Sequence, residues 1–469
     1  MTALLLRNAR LEAAPDPTDV LIRDGRIHAV GPRPEADRTA RRPQSAAELP
    51  QSAAELQQSA AGLPQSAVEL PQSAAELPQS VAEFDCAGRV VLPGFVEAHL
   101  HPDKALLDLT HPQPAGTLAD AIRVTAELKA GFTHDEVRAR AERVLRMCVA
   151  HGTTTLRAHP DVDPVAGLTG LDVLLELRDT WAELITLQVV AFPQEGILKA
   201  PGTTELLRRA LAAGADAVGG CTYGEVSPED CRRHVELVLD LAVEYGVPAD
   251  LHADFADDGS DPRFALAEFI AEQTAARGLG GRVTLGHATS LGGRPPGERR
   301  AVLKALAEAG VAVVPLPATD LFLGGRGDTT AVRRGLAPVR ELWDAGVLTA
   351  CSSNNIRNAF TPYGTGDVLD TALLLARLGH LSGPADLRRV LRMVTYDAAR
   401  VVGLAEGDYG THVGAVADLV VVDTEDCDSV LIERPVRTAV VKSGRIVARS
   451  TRTTELAAAA PAVSAEVAR

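Results

Sequence analysis

Val90-Val-Leu-Pro-Gly-Phe-Val-Glu-Ala-His-Leu-His101 is an apolar run that ends in two histidines one residue apart. An extended chain points alternate side chains to opposite faces, so His99 and His101 share a face and can reach one metal ion. Short apolar runs recur at Thr153-Thr-Thr-Leu-Arg157, Leu187-Gln-Val-Val-Ala191, Ala217-Val218, Ala249-Asp-Leu251, Val283-Thr-Leu285, Val311-Ala-Val-Val314 and Val347-Leu-Thr-Ala350. Amphipathic stretches such as Asp135 to Val149 and Thr204 to Ala213 lie between them. Counting Val90-Val-Leu92 as the first, eight strands alternate with helices, which is the α/β pattern of a (β/α)8 TIM-like barrel. Chemistry in such barrels sits at the strand C-termini. His252 follows the run at Ala249, and His287 follows Val283-Thr-Leu-Gly286. A lone histidine is more often structural, but four at three strand ends favour a metal site.

The two chain ends have a different texture. Asp19-Val-Leu-Ile-Arg-Asp-Gly-Arg-Ile-His-Ala-Val30 reads as strand, Asp-Gly turn, strand. Ala417-Asp-Leu-Val-Val-Val-Asp423 reads as a strand, and Thr438 to Ala448 as a second hairpin. Both ends are therefore expected to meet in one small β-sandwich domain. The expected plan is β domain over 1–42 and 406–452, barrel over 85–405, and a frayed tail over 453–469.

Between the first hairpin and the barrel, residues 43–84 are six copies of one heptad, from Pro43-Gln-Ser-Ala-Ala-Glu-Leu49 to Pro78-Gln-Ser-Val-Ala-Glu-Phe84. A coiled coil is excluded, because proline recurs at one heptad position and costs about 3 kcal/mol inside a helix. Each unit also supplies a single large apolar residue, too thin a seam. The segment reads as a low-complexity loop, with a partner-binding arm as the other reading. Its five glutamates, unopposed by Lys or Arg, supply a third of the chain's net charge of −15.

That acidic balance and a 3% aromatic content argue against a nucleic-acid partner. No apolar run has the roughly 18 residues of a membrane span, and Met1-Thr-Ala-Leu-Leu-Leu-Arg7 lacks the form of a signal peptide, so a cytoplasmic location is the expectation. The six cysteines form no C-x-x-C pair, which excludes zinc ribbons, thioredoxin-like sites and the small zinc deaminases. Such dispersed thiols suit a reducing compartment.

Pro93-Gly-Phe-Val-Glu-Ala-His-Leu-His-Pro-Asp-Lys-Ala-Leu106 resembles the first-strand motif of the amidohydrolase superfamily, in its cytosine deaminase branch. The resemblance continues through His151-Gly-Thr-Thr-Thr-Leu-Arg-Ala-His159, Leu187 to Leu198, Asp250-Leu-His-Ala-Asp254, Gly286-His-Ala-Thr289 and Thr361-Pro-Tyr-Gly-Thr-Gly366. It implies one divalent metal (zinc, iron or manganese) on His99, His101 and His252, with a fourth ligand after strand eight. It implies that His287 orients or deprotonates the water on that metal, and that Gln194 contacts the substrate's amide edge. A small-molecule substrate follows, and a homo-oligomer is open because such barrels often associate.

Three expected acids are missing. Relatives carry a proton-shuttling Glu in an H-x-D-E segment, which here reads His252-Ala-Asp-Phe255. The strand-eight segment reads Ser352-Ser-Asn-Asn-Ile-Arg-Asn-Ala359, so the metal-binding Asp is Asn354, and a downstream Asp-Pro is Asn358-Ala359. Asparagine offers an oxygen without charge, which weakens the metal's hold. Phenylalanine carries no proton, and acid–base help is worth about 10²–10⁴-fold. His287 and Asn354 are thus the candidate catalytic groups, and Gln194, Phe255, Asp254, Lys104 and Arg357 the candidate substrate contacts. Asp103, Asp161, Asp163, Asp257 and Asp258 are read as solvated or loop-bracing acids. Three readings stand: an enzyme using altered or non-hydrolytic chemistry on a small nitrogen-containing substrate, a deaminase-like C–N hydrolase with relocated acids, and a binding protein without turnover.

Overall fold

The computed structural model describes residues 3–12, 16–32, 81–109, 116–257 and 259–456. Its strands are β1 (Ala3–Leu11), β2 (Thr18–Arg23), β3 (Arg26–Gly31), β4 (Val81–Asp85), β5 (Val90–Pro93), β6 (Phe95–Leu100), β7 (Thr153–Ala158), β8 (Thr186–Ala191), β9 (Ala217–Cys221), β10 (Ala249–Ala253), β11 (Val283–His287), β12 (Val311–Val314), β13 (Leu419–Val422), β14 (Arg437–Lys442) and β15 (Arg445–Arg449). β6 to β12 pair in chain order as one parallel sheet. Helices such as His134–Ala150 and Thr203–Ala212 connect them. Every residue of β6, β7, β9, β10, β11 and β12 is buried, as expected of strands covered on both faces.

The expected eighth strand is present only as two parallel bridges, Val313 with Thr349 and Leu100 with Asn354. Side chains reinforce this closure. Ala98 N donates to Ser352 Oγ (2.8 Å), while Ser353 N and Oγ donate to the two oxygens of Glu97 (2.9 and 2.6 Å). The seam that closes the barrel therefore joins the H-x-H strand to the segment carrying Asn354.

The expected first barrel strand needs correction. Val90–Pro93 pairs with β1 and β13 in the β domain, and the barrel begins at Phe95. Gly94 makes the crossing. A Cβ there would lie 2.3 Å from the Thr154 side chain, so no larger residue fits.

The β domain does combine both chain ends. Its strand order is β15-β14-β13-β5-β1-β2-β3, with β4 on β1. Leu4, Leu6, Val20 and Ile22 share one apolar core with Leu419, Val421, Ala439 and Val441.

A second correction concerns the heptads. Their final residues are not loop: Val81–Asp85 pairs in parallel with β1, from Ala3 with Val81 to Arg7 with Asp85. The sixth copy differs from the consensus by Val81 for Ala and Phe84 for Leu. Both are strand formers, and they pack against Leu5, Leu21 and the core. The remaining heptad residues lie outside the described residues, as does most of the expected tail. No described helix is long and apolar enough to cross a membrane.

Candidate active site

His99 and His101 lie at the C-terminal end of β6, and His252 lies in β10. The Nε2 atom of His252 is 2.9 Å from that of His99 and 3.2 Å from that of His101. Tetrahedral metal–nitrogen bonds of about 2.0–2.1 Å would separate two ligands by roughly 3.3 Å. His101 donates Nδ1–H to the carbonyl of His159 (2.7 Å), so its Nε2 presents a lone pair. Burial first, then His159, pushes His99 down to about 3. Burial likewise holds His101 and His252 well below the usual histidine range. Three neutral rings thus turn nitrogens toward one point.

Asn354 belongs to the same centre. Its N–H donates to His99 O (2.9 Å), and His101 N–H donates to its carbonyl (3.0 Å). Its φ of 61° is one that Asn tolerates better than most residues. Its side-chain Oδ1 is buried without a hydrogen-bond partner. Three imidazoles whose nitrogens converge fit a divalent cation, and the orphaned Asn354 oxygen lies on a residue that lines the same cleft. Zinc-loaded wild-type protein is expected to bind about one equivalent, and His99→Ala to fall well below that, measured by metal analysis after gel filtration. Equal metal content in both would remove the site.

Behind the ligands, Asp250 lies two residues before His252 on the same strand face. Arg157 Nη1 donates to its Oδ2 (3.1 Å), while its Oδ1 lies 3.3 Å from His159 Nε2 and 3.6 Å from His99 Nδ1. His159 stacks on His99 with ring centroids 3.8 Å apart. Burial would raise the Asp250 pKa, but His159 and His99 hold it well below the usual range. Asp250 and His159 went unassigned in the sequence, although the alternation Asp250-Leu-His252 carries the signal.

His287 at the end of β11 donates Nδ1–H to the buried Asp320 (2.6 Å), leaving Nε2 as an acceptor. Asp320 comes from the helix Pro317–Leu323, and no sequence spacing marks it. Phe255, the residue in the shuttle position, stacks on His287 with centroids 4.0 Å apart and planes 14° from parallel. It joins Val124, Leu323, Ala359 and Phe360 in an apolar wall. His101, His252, His287 and Asn354 line one cleft with Phe255 and Phe360, while Gln194, Tyr223, Thr319 and Asn355 supply its other polar groups. None of these lining residues is a carboxylate. A wider groove lined by Arg333, Arg334 and Arg340 holds none of the histidines.

Two expected substrate contacts are corrected. Asp254 accepts from Leu266 N (2.7 Å) and Ala267 N (3.0 Å), capping the helix Ala267–Ala276. Arg357 directs Nε and Nη2 to Asp108 Oδ2 (2.9 and 2.7 Å) and braces the loop after β6. Lys104 and Gln194 do meet. Lys104 Nζ donates to Gln194 Oε1 (2.9 Å) and to Asp161 Oδ1 (2.6 Å). Asp161 and Asp163 are buried rather than solvated, because Lys129 enters between them. Asp257 accepts from Gly325 N (2.8 Å), as a loop brace does, and Asp258 lies outside the described residues.

Residues 114–448 match the amidohydrolase family model. The chain is 32% identical over 374 residues to N-isopropylammelide isopropyl amidohydrolase of Pseudomonas sp. (strain ADP), spanning 78% of this chain and 87% of that protein. It is 30% identical over 370 residues to pterin deaminase of Rhizobium rhizogenes, spanning 78% and 82%. Among solved structures, 5-methylcytosine deaminase from Klebsiella pneumoniae with 5-fluorocytosine superposes with a TM-score of 0.82 at 28% identity, covering 97% of this chain and 99% of that one. A barrel closed beside an H-x-H, and three imidazoles converging at its strand ends, agree with these matches along most of the chain. The protein belongs to the amidohydrolase superfamily, in its cytosine deaminase-like branch.

Proposed function

We propose that this protein hydrolyses a C–N bond of a small planar nitrogen heterocycle by an altered route, in which His287 is the only side chain that carries protons. The observation that carries this reading is the His287–Asp320 hydrogen bond of 2.6 Å in a cleft whose lining holds no carboxylate. Relatives that act on ammelide, pterin and cytosine rings support the substrate class.

A divalent ion on His99, His101, His252 and Asn354 would supply Lewis acidity and bring the pKa of a water near 7. Asp320 fixes the His287 tautomer, so Nε2 takes the proton of the attacking water and returns it to the leaving nitrogen. Phe255 packs the substrate ring and keeps bulk water off the imidazole face it covers. One carrier serves one leaving nitrogen. It does not also protonate a distant ring nitrogen, so ordinary cytosine deamination is disfavoured.

The test is release of ammonia or amine from a panel of pyrimidines, triazines and pterins by metal-loaded protein. Tight binding with no conversion across the panel would replace this reading by a ligand-binding role. Restoring both acids, Phe255→Glu with Asn354→Asp, is expected to raise cytosine deamination about 10²-fold or more. An unchanged rate in a folded, metal-loaded double variant would show that these positions do not hold the missing groups.

A further inference from the structure

A neutral histidine that offers its Nε2 lone pair to a metal carries its proton on Nδ1, and the group facing Nδ1 decides how firmly it stays there. For His101 that group is the carbonyl of His159 (2.7 Å). For His99 it is not a hydrogen-bond partner at all. Its Nδ1 is buried without one, as is that of His252. The His99 ring itself is fixed in place. His159 stacks on it with centroids 3.8 Å apart, and a Cβ on Gly286 would lie 3.4 Å from its Cε1. What remains to be set is the position of the proton.

Asp250 faces it. Asp250 Oδ2 accepts from Arg157 Nη1 (3.1 Å), which favours the ionised carboxylate and holds its plane. The other oxygen, Oδ1, is buried without a hydrogen bond and lies 3.6 Å from His99 Nδ1 and 3.3 Å from His159 Nε2. At 3.6 Å the link to His99 is longer than a hydrogen bond, so it acts as a charge on an N–H dipole in a site shut off from water. Among the described residues, Asp250 is the one carboxylate in ion-pair range of His99, His101 or His252. Its charge carries weight because His99, His101, His252 and Asn354 supply none.

We infer that Asp250 is a positioning residue of the metal centre. Acting through His99, it holds the proton on Nδ1, frees Nε2 for the cation and supplies a negative charge that no ligand provides. This inference rests on the reading of the three histidines as a metal site. The competing role is structural, as counter-ion to the buried Arg157. The two roles predict different behaviour when Arg157 is removed.

The test is the zinc affinity of the full-length protein, measured by competition with a chromophoric chelator, beside the melting temperature of the metal-free protein. Asp250→Asn is nearly isosteric, and Arg157, a donor only, turns the new amide oxygen toward itself. The amide NH2 then faces His99 Nδ1 and drives the proton to Nε2. Zinc is expected to bind about 10- to 100-fold more weakly. Arg157→Met keeps the carboxylate and removes a positive charge behind it, so its zinc affinity is expected to match or exceed that of wild type. Unchanged affinity in folded Asp250→Asn, or an equal loss in both variants, would overturn the inference. Should Arg157→Met fail to fold, the metal-free melting temperature of Asp250→Asn decides. Loss of zinc affinity without a fall in melting temperature supports the inference, and loss matched by such a fall overturns it. Wild type that binds no zinc would remove the centre and this inference with it. Turnover is not read, so failure of Asp250 in this role leaves the proposed hydrolysis to its own test.

Discussion

His287→Ala is expected to lower turnover about 10²–10⁴-fold while leaving the zinc content of the protein unchanged. His287 is the only lining group with both a fixed tautomer and no place among the three converging imidazoles. Asp320→Asn should be comparably severe, on the order of 10⁴-fold by analogy with triad acids. An asparagine amide can donate to Nδ1, and the imidazole proton then moves to Nε2, where a lone pair is needed. The two variants separate proton transfer from metal binding when kcat and metal content are measured on the same preparations. Loss of zinc in His287→Ala would make His287 a metal ligand instead of a proton carrier. Full turnover in Asp320→Asn would remove the tautomer argument.

Lys129→Met is expected to carry the largest cost in stability, about 3–5 kcal/mol. The Lys129 side chain is 1% exposed and ends the helix Leu118–Lys129, whose Ala121 and Val124 belong to the apolar wall over the cleft. Its ammonium lies 2.6 Å from Asp163, 3.1 Å from Asp161 and 2.8 Å from Glu195. Burial alone would lower its pKa, but Asp161, Asp163 and Glu195 hold it above the usual lysine range. Methionine keeps much of the volume and leaves Asp163 buried without its cation. Lys129→Met with Asp163→Asn should therefore lose less than Lys129→Met alone, since the amide oxygen can still accept from Val165 N and Ala166 N. The acid side follows from Asp161. Burial raises its pKa, and Lys104 and Lys129 more than offset this, so the folded value lies below the ordinary one. A depressed carboxylate contributes its full stability above an unfolded pKa of about 4 and loses it as pH falls through the folded value. The gap between wild type and Lys129→Met in urea melts should thus be widest near neutral pH and shrink in acid. An equal gap at both would show that packing, not charge, explains the loss.

Much of the site was legible because a parallel barrel turns sequence spacing into geometry. His99 and His101 alternate on one strand, and His252, His287 and Asn354 fall at strand ends or the closing seam, so local reading was enough to group them. Asp250 was equally local. Asp254 and Arg357 were misread for the opposite reason. Each stands beside a functional residue in the chain, but its partners, Leu266 N and Ala267 N in one case and Asp108 in the other, come from other elements. Val90-Val-Leu92 was assigned to the wrong sheet because a buried apolar run has the same texture in either domain. The contact of Gly94 with Thr154 marks where the chain crosses between them.

The amino-acid sequence by itself determined the barrel, the β domain from both chain ends and the grouping of His99, His101 and His252. All of these are carried by local periodicity or by residue identity at a motif position. Only the tertiary structure decided that Asp320 serves His287, that Phe255 lies flat on that imidazole, that the last heptad ends in a strand, and that Lys104 meets Gln194. Each of these depends on hydrogen bonds or ring contacts between segments far apart in the chain. Sequence spacing carries no information about such meetings until the barrel has closed.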